Sequence, residues 1–339
     1  MRVFLSLLTC GLLGVASALP AQVSVGKITH EYQRLNNCGP VTVGMALSRW
    51  GSTLNQYDIA PKLKTNGGDV NVSPEELAAF ARSQSMSVHL ARGGTPLMLR
   101  RLLAAGFPVI AETWFVTHDS GGMGHYRLLT GYDDAGGTFS ALDSYMGRLG
   151  FSYAELDELW RAFGRTYLVI APRARQAELD AALGYHADAR VSKRAALRVA
   201  LNEAEKKNDA VAWLNVGQAK LNLGDSRGAV RAFDAAFAAR PDPKLDPTRP
   251  AHAVGGLPWR TLWYSFGPLE AYTRNARYDD VLRLTSAVLR DAPAHEEMYY
   301  WRGRALTGLG RVADAKAAYR EALRLRPGFL AAQTELAKL

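Results

Sequence analysis

Gln33-Arg34-Leu35-Asn36-Asn37-Cys38-Gly39-Pro40-Val41-Thr42-Val43-Gly44-Met45-Ala46-Leu47 puts a cysteine where a polar turn enters an apolar helix. Pro40 suits a first helical turn and Gly51 follows Trp50, so the pattern predicts a helix over residues 39–50. At a helix start, free backbone N–H groups and the positive end of the dipole favour a thiolate. Gly39 lets the backbone come close to a substrate. Gln33 lies a short way upstream, and its amide together with the Cys38 N–H would make an oxyanion hole.

A thiolate nucleophile needs a base, and the base needs an acceptor that orients it. Gly124-His125-Tyr126 opens a predicted strand that reaches Tyr132, which holds His125 on a rigid element. Asp133 to Gly137 reads as a turn, and Thr138 to Asp143 as the returning strand. With that turn centred near Ala135, Arg127 falls opposite Asp143, and Asp143 becomes a diagonal neighbour of His125 on the same face. A slip of one residue would send the two to opposite faces. Around the hairpin stand helix starts: Ser73-Pro74-Glu75-Glu76 and Ser152 with Glu155 as capping boxes, and Thr95-Pro96 in a helix ended by Gly106. Phe107 to Phe115 and Thr166 to Ile170 read as further strands. Helices first and antiparallel strands after give an α+β domain.

In this order, Tyr32-Gln33, Asn36-Asn37-Cys38-Gly39-Pro40, Gly124-His125-Tyr126 and Leu142-Asp143-Ser144-Tyr145 resemble the cysteine peptidase-like domain related to the bacteriocin leader (double-glycine) peptidases, a papain-like fold. The resemblance runs from about Ile28 to Pro172 and takes in Asn71-Val72-Ser73-Pro74-Glu75-Glu76-Leu77, Trp160 and Tyr167. It implies Cys38 as nucleophile, His125 as general base and acid, Asp143 as orienting group and Gln33 in the oxyanion hole. The chain departs from those enzymes in two respects. No ATP-driven exporter is fused to it, and Gln33 lies one residue nearer the cysteine. Cleavage after a double glycine therefore does not follow from the resemblance.

Beyond Gln176 to Val191, read as a helical connector, the period changes. Trp213, Gly217, Gly224, Ala229, Phe233, Ala236 and Pro241 fall at tetratricopeptide-repeat spacings, and Gly303, Gly310, Ala315, Tyr319, Ala322 and Pro327 repeat them. Tyr272, Ala276, Val281 and Pro293 fit the same frame of about 34 residues more loosely. The units 262–295 and 296–329 abut, Phe329 to Leu339 begins a capping helix, and the proline- and glycine-rich segment Lys244 to Thr261 interrupts the array.

Met1-Arg2, the apolar run Val3 to Val15 and the small residues Ala16-Ser17-Ala18 read as a signal peptide, with Leu19-Pro20-Ala21 offering a second cleavage site. The apolar run is shorter than the about 20 residues of a membrane span. Processing removes Cys10 and leaves Cys38 as the single thiol, so no internal disulfide can form. The expected segments are thus 1–21 signal peptide, 22–172 papain-like domain, 173–191 connector and 192–339 repeat domain, in a secreted or periplasmic protein. Of the net charge of +9, none comes from residues 1–189, which hold 16 basic and 16 acidic side chains; residues 190–339 hold 25 and 16. This reads as arginine-rich solvated helix faces.

No cofactor is expected: there is no His-Glu-x-x-His metal motif and no glycine-rich phosphate loop. No basic-aromatic nucleic-acid motif and no stable membrane span appear. His118-Asp119 reads as a polar loop pair, His30 and His89 as ordinary histidines, and Asp69 and Asn71 as capping residues. The sequence thus points to an exported cysteine hydrolase, a peptidase, with a peptide or protein substrate and a protein partner on the repeats. The alternative is a catalytically silent papain-like module with the repeats as a binding scaffold.

Overall fold

The computed structural model describes residues 18–119, 121–249 and 252–339. Most of the expected signal segment, Cys10 included, lies outside the described residues.

The first domain is built on an antiparallel sheet. Its strands are β1 (Gln22–Ser24), β2 (Met86–Ala91), β3 (Val109–Thr117), β4 (Gly121–Asp133), β5 (Thr138–Asp143), β6 (Gly147–Ser152) and β7 (Tyr167–Pro172), ordered β2-β7-β3-β4-β5-β6 with β1 beside β4. The central strands are apolar on both faces, so both must be covered. Ile110, Leu128 and Leu168 pack with Val41, Ile59 and Leu77 from helices α1 (Cys38–Ser48), α2 (Gln56–Leu63) and α3 (Pro74–Ser83). Their strand neighbours Val109, Leu129 and Val169 pack with Leu99, Trp160 and Leu179 from α4 (Pro96–Ala104), α5 (Tyr153–Arg161) and α6 (Gln176–Leu183) on the other side. Every residue of α1 from Gly39 to Leu47 is buried, which explains why all of them but Thr42 are apolar.

The Ser73–Glu76 capping box forms, Thr95 caps α4, and Ser152 caps α5 by accepting from the Glu155 N–H. The sequence reading did not anticipate α2, β2 or β6. The fold also begins earlier than residue 22. The Tyr132 hydroxyl donates to the Pro20 carbonyl at 2.7 Å, and the Asp134 N–H to that of Ala21 at 2.8 Å.

The connector is not one helix. It breaks at Gly184, whose positive φ of 56° closes α6, and a new helix α7 (Ala189–Lys207) starts at the Asp188 cap and runs through the expected boundary at 191/192. The array follows as the antiparallel pairs α8 (Ala210–Asn222) with α9 (Ser226–Ala238), α11 (Gly267–Arg274) with α12 (Tyr278–Asp291), and α13 (Glu296–Gly308) with α14 (Val312–Leu325), after the short α10 (Thr261–Tyr264) and before α15 (Leu330–Leu336). The repeat glycines work by close approach. A β-carbon at Gly217 would lie 2.4 Å from the Phe233 ring, and one at Gly303 2.6 Å from the Tyr319 ring.

The two halves meet along separate seams. Arg161 and Arg165 pair with Glu203 of α7, and Arg161 also bonds Asp209 at 2.7 Å. The interrupting segment packs on the end of the β3–β4 hairpin: Trp114 Nε1 donates to the Leu245 carbonyl at 2.7 Å, and Arg260 Nη1 to that of Gly122 at 3.1 Å. The loop before α3 and the first turn of that helix touch the last repeat, with Thr65 Oγ1 donating to the Leu325 carbonyl at 3.2 Å and Arg326 Nη1 2.6 Å from Glu76 Oε1.

Candidate active site

Cys38 is the first residue of α1 and is half-buried. Asn37 before it gives no side-chain cap. Its amide is held instead by Gln56 Oε1 at 3.0 Å and Lys64 Nζ at 3.3 Å. The first-turn N–H groups therefore remain for other acceptors.

His125 stands on β4, opposite Thr113 of β3 and beyond the last β4–β5 pair, Arg127 with Asp143. Its Nε2 lies 3.0 Å from Asp143 Oδ1, which leaves Nδ1 for its hydrogen bond to Cys38. Asp143 ends β5 and is fully buried. Besides His125, its Oδ1 accepts from the N–H groups of Tyr145 at 2.7 Å and Met146 at 2.9 Å, and Oδ2 accepts from Arg127 Nε at 3.0 Å. Arg127 is itself 3% exposed and also donates to Thr113 Oγ1. His30 Nε2 holds the Asp143 carbonyl at 2.9 Å.

The register that makes this contact uses a device the sequence reading missed. At the turn, Asp133 pairs with Thr138. Continued regularly, that register would put Arg127 opposite Ser144. A bulge between Leu129 and Gly131 shifts it by one and brings Arg127 opposite Asp143.

The charges reinforce one another. Burial opposes a charged imidazole, but the hydrogen bonds and charges of Asp143 and Cys38 outweigh it and raise His125 to about 9. Burial also pushes the Cys38 thiol up; the His125 hydrogen bond and charge, with the N–H groups of Tyr126 and Gly39, more than reverse this and leave it below its ordinary value. Burial would raise Asp143 as well, yet His125 and the two turn N–H groups hold it well below the usual carboxylate range. The row favours thiolate, imidazolium and carboxylate together.

Gln33, Cys38 and His125 line one narrow cleft of about 60 Å³, with Asn71, Glu112 and Tyr264 among the other walls. The Gln33 N–H donates to the Ser144 carbonyl at 2.8 Å and its Oε1 accepts from Ser144 Oγ at 2.7 Å, so Nε2 is left for the cleft. All four residues singled out from the sequence are thus brought together.

Residues 25–171 match the model described as the Peptidase_C39 like family, and residues 296–329 match a tetratricopeptide repeat. The first domain is C39-like. Among solved structures, a putative C39-like peptidase from Bacillus anthracis is similar at 16% identity, over 45% of this chain and 98% of its own, with a TM-score of 0.37. A double glycine motif protease from an AMS/PCAT transporter, in complex with the leader peptide, is similar at 17% identity over 43% and 92%, with a TM-score of 0.34. MamA from Desulfovibrio magneticus RS-1 is similar at 26% identity over 48% and 82%, with a TM-score of 0.35. No curated protein matches the chain. No helix among the described residues is long and apolar enough to cross a membrane.

Of the remaining candidates, Asn71 lines the cleft, and the others fall outside it. His118 and Asp119 are exposed, and His89 bonds the Tyr167 hydroxyl at 3.2 Å. Asp69 Oδ1 accepts from the Asn71 N–H at 3.0 Å, a local turn. In the repeats, ligand-type atoms of His295, Glu296 and Glu297 lie within 4.8 Å of one another. Both His295 nitrogens are occupied, by the Trp263 carbonyl at 3.0 Å and Glu297 at 3.1 Å, so the group reads as a packed ion pair.

The sequence reading placed Arg127 opposite Asp143 without giving it a role, and missed Glu112 and Tyr264. Glu112 had a signal, a lone acid inside the apolar run Phe107 to Phe115. Tyr264 had none, because it reaches the C39-like domain from the repeat half, where its hydroxyl takes a hydrogen bond from the Gly124 N–H.

Proposed function

We propose that the chain is an exported cysteine hydrolase that cleaves peptide or amide bonds, with Cys38 as nucleophile, His125 as acid and base, Asp143 as orienting group and Gln33 in the oxyanion hole. One observation carries the reading: the continuous hydrogen-bonded row from Cys38 through His125 to the buried Asp143. In this mechanism the Cys38 thiolate adds to the substrate carbonyl, and the oxyanion takes hydrogen bonds from the Cys38 N–H and Gln33 Nε2. The carbon–nitrogen bond breaks as His125 Nδ1 gives its proton to the leaving amine. Water then adds to the thioester, losing a proton to His125, and the acid leaves as the thiolate reforms.

Export rests on the leader-like composition of residues 1–21. Cleavage after Ala18 keeps the contacts of Pro20 and Ala21 with the sheet, which favours it over the later site. The repeat array offers helix faces for a protein partner.

The test is intact mass spectrometry of the full chain after treatment with a peptidyl electrophile directed at thiols. One adduct on Cys38 is expected, absent in Cys38→Ala and slow in His125→Ala. Alkylation by iodoacetamide without any reaction of peptidyl probes would sink the peptidase reading.

A further inference from the structure

Glu112 lies on β3 opposite Tyr126 and is 5% exposed. It lines the same cleft as Cys38. Only burial and distant charges act on its carboxyl, which makes no hydrogen bond or ion pair with the described chain. A buried carboxyl with no partner is costly and uncommon in a folded protein. The exposure it keeps faces the cleft, so the partner it lacks comes from outside the chain. Asn71 repeats the pattern. It is 7% exposed, lines the cleft, and its buried Nδ2 has no acceptor.

We propose that the cleft takes a cationic substrate group, the ammonium or guanidinium of a lysine or arginine beside the scissile bond, with Glu112 as its counter-charge and Asn71 Nδ2 donating to a substrate carbonyl. The assignment deepens the peptidase reading and rests on it. The walls suit a basic side chain: Met123, Val72, Tyr126 and Tyr264 offer apolar surface for its methylene stem. The surrounding charge also suits it. Glu75 and the Cys38 thiolate act on Glu112 with negative sign, Arg92 with positive sign. Across the cleft wall Tyr126 also senses Glu76. Among the residues that line the cleft His125 is the cation, and it is already engaged by Asp143 and Cys38.

Burial raises the Glu112 carboxyl to about 8, so without substrate it carries its proton at neutral pH. An arriving cation displaces that proton to solvent and leaves a carboxylate paired with the bound group. A neutral or acidic side chain gains no such partner.

The test uses the full chain and acyloxymethyl ketone peptides that carry lysine, norleucine or glutamate next to the reactive carbon. Second-order labelling rates of Cys38 are read by intact mass at neutral pH. Lysine should exceed norleucine by about tenfold or more, the range of one charge-assisted hydrogen bond, with glutamate slowest. Glu112→Gln should collapse the lysine-to-norleucine ratio to within about twofold, with folding checked by thermal melting. Equal labelling by lysine and norleucine, or faster labelling by norleucine, overturns the proposal while leaving the peptidase reading intact. If no peptide probe labels Cys38, the peptidase reading fails and takes the proposal with it. The parent ratio decides the question even if Glu112→Gln does not fold.

Discussion

Asp143→Asn separates charge from shape at the centre of the row. In the parent, Oδ1 faces His125, Tyr145 and Met146, while Oδ2 faces Arg127. An asparagine keeps its oxygen toward the first three and turns its Nδ2 toward Arg127, donor against donor. His125 thus stays in place and loses its counter-charge. That counter-charge is one of the interactions that raise His125 to about 9 in spite of its burial. The Asp143 hydrogen bond is the largest of the interactions that raise His125 against burial, so without the carboxylate charge the imidazole midpoint should fall by about one pH unit or more. Histidine ring resonances, assigned with His125→Ala, follow that midpoint directly. The same variant leaves Arg127 buried without a carboxylate, which costs about 3–5 kcal/mol of unfolding free energy by urea titration. Adding Arg127→Gln should restore part of the stability and leave the midpoint low. A midpoint still at about 9 in Asp143→Asn would refute the argument, because the His125 proton would then be held by something other than Asp143.

His125→Ala leaves burial of the Cys38 thiol unopposed by a cation, so its pKa should rise and iodoacetamide alkylation in mildly acid buffer should slow by about tenfold or more. Asp143 has a depressed pKa, so its contribution to stability is complete above its ordinary value of 3.8 and is lost as pH falls toward the folded-state value; the melting midpoint of the parent should fall over that range, and that of Asp143→Asn less steeply. A chain ending at Pro172 loses Leu245, Arg260 and Tyr264 and uncovers Trp114 and Phe163; circular dichroism should show it poorly folded, and a cooperative parent-like melt would show that the seams are dispensable.

How much of this was legible beforehand depended on whether the deciding contacts were local. Helix starts were, since Ser73 with Glu76, Thr95 and Ser152 each satisfy N–H groups three residues on. The short α2 was not, because Pro61 inside it and its polar composition hide a capping box between Asn55 and Asp58. The meeting of His125 with Asp143 was inferred from a regular hairpin centred near Ala135, whereas the structure reaches it by a tighter turn and a compensating bulge at residue 130. Two departures cancelled, and pattern alone cannot see the bulge, because the neighbour filling its space is β1, whose Val23 carbonyl would lie 2.3 Å from a β-carbon at Gly131. Arg127 and Glu112 became meaningful only once burial was known. The array read as a separable module because its period recurs on both sides of the interrupting segment; nothing in that period reveals a tyrosine that leaves it to line another domain's cleft.

The seams change what the repeat array can be. Domains joined by a linker are expected to move independently unless their interface is large and apolar. Here the walls on either side of Cys38 hang on the array. Tyr264 belongs to α10, and its ring lies 3.1 Å from where a β-carbon of Gly124 would stand, one residue before His125. On the opposite side, Val70 packs against the core of the repeats, while Glu76 in the first turn of α3, which follows the same loop, pairs with Arg326. A displacement of the array large enough to break either contact would therefore move a wall of the cleft, whereas α1, β4 and β5, which carry Cys38, His125 and Asp143, are anchored in the cores of the first domain. The chemistry is fixed by one half of the chain and the shape of the space beside it by both. Tyr264→Ala should therefore shift substrate selection, read as KM across a peptide panel, more than it shifts the pH dependence of the thiol; a change in the thiol titration with selection untouched would place Tyr264 in the reacting row instead of in its wall.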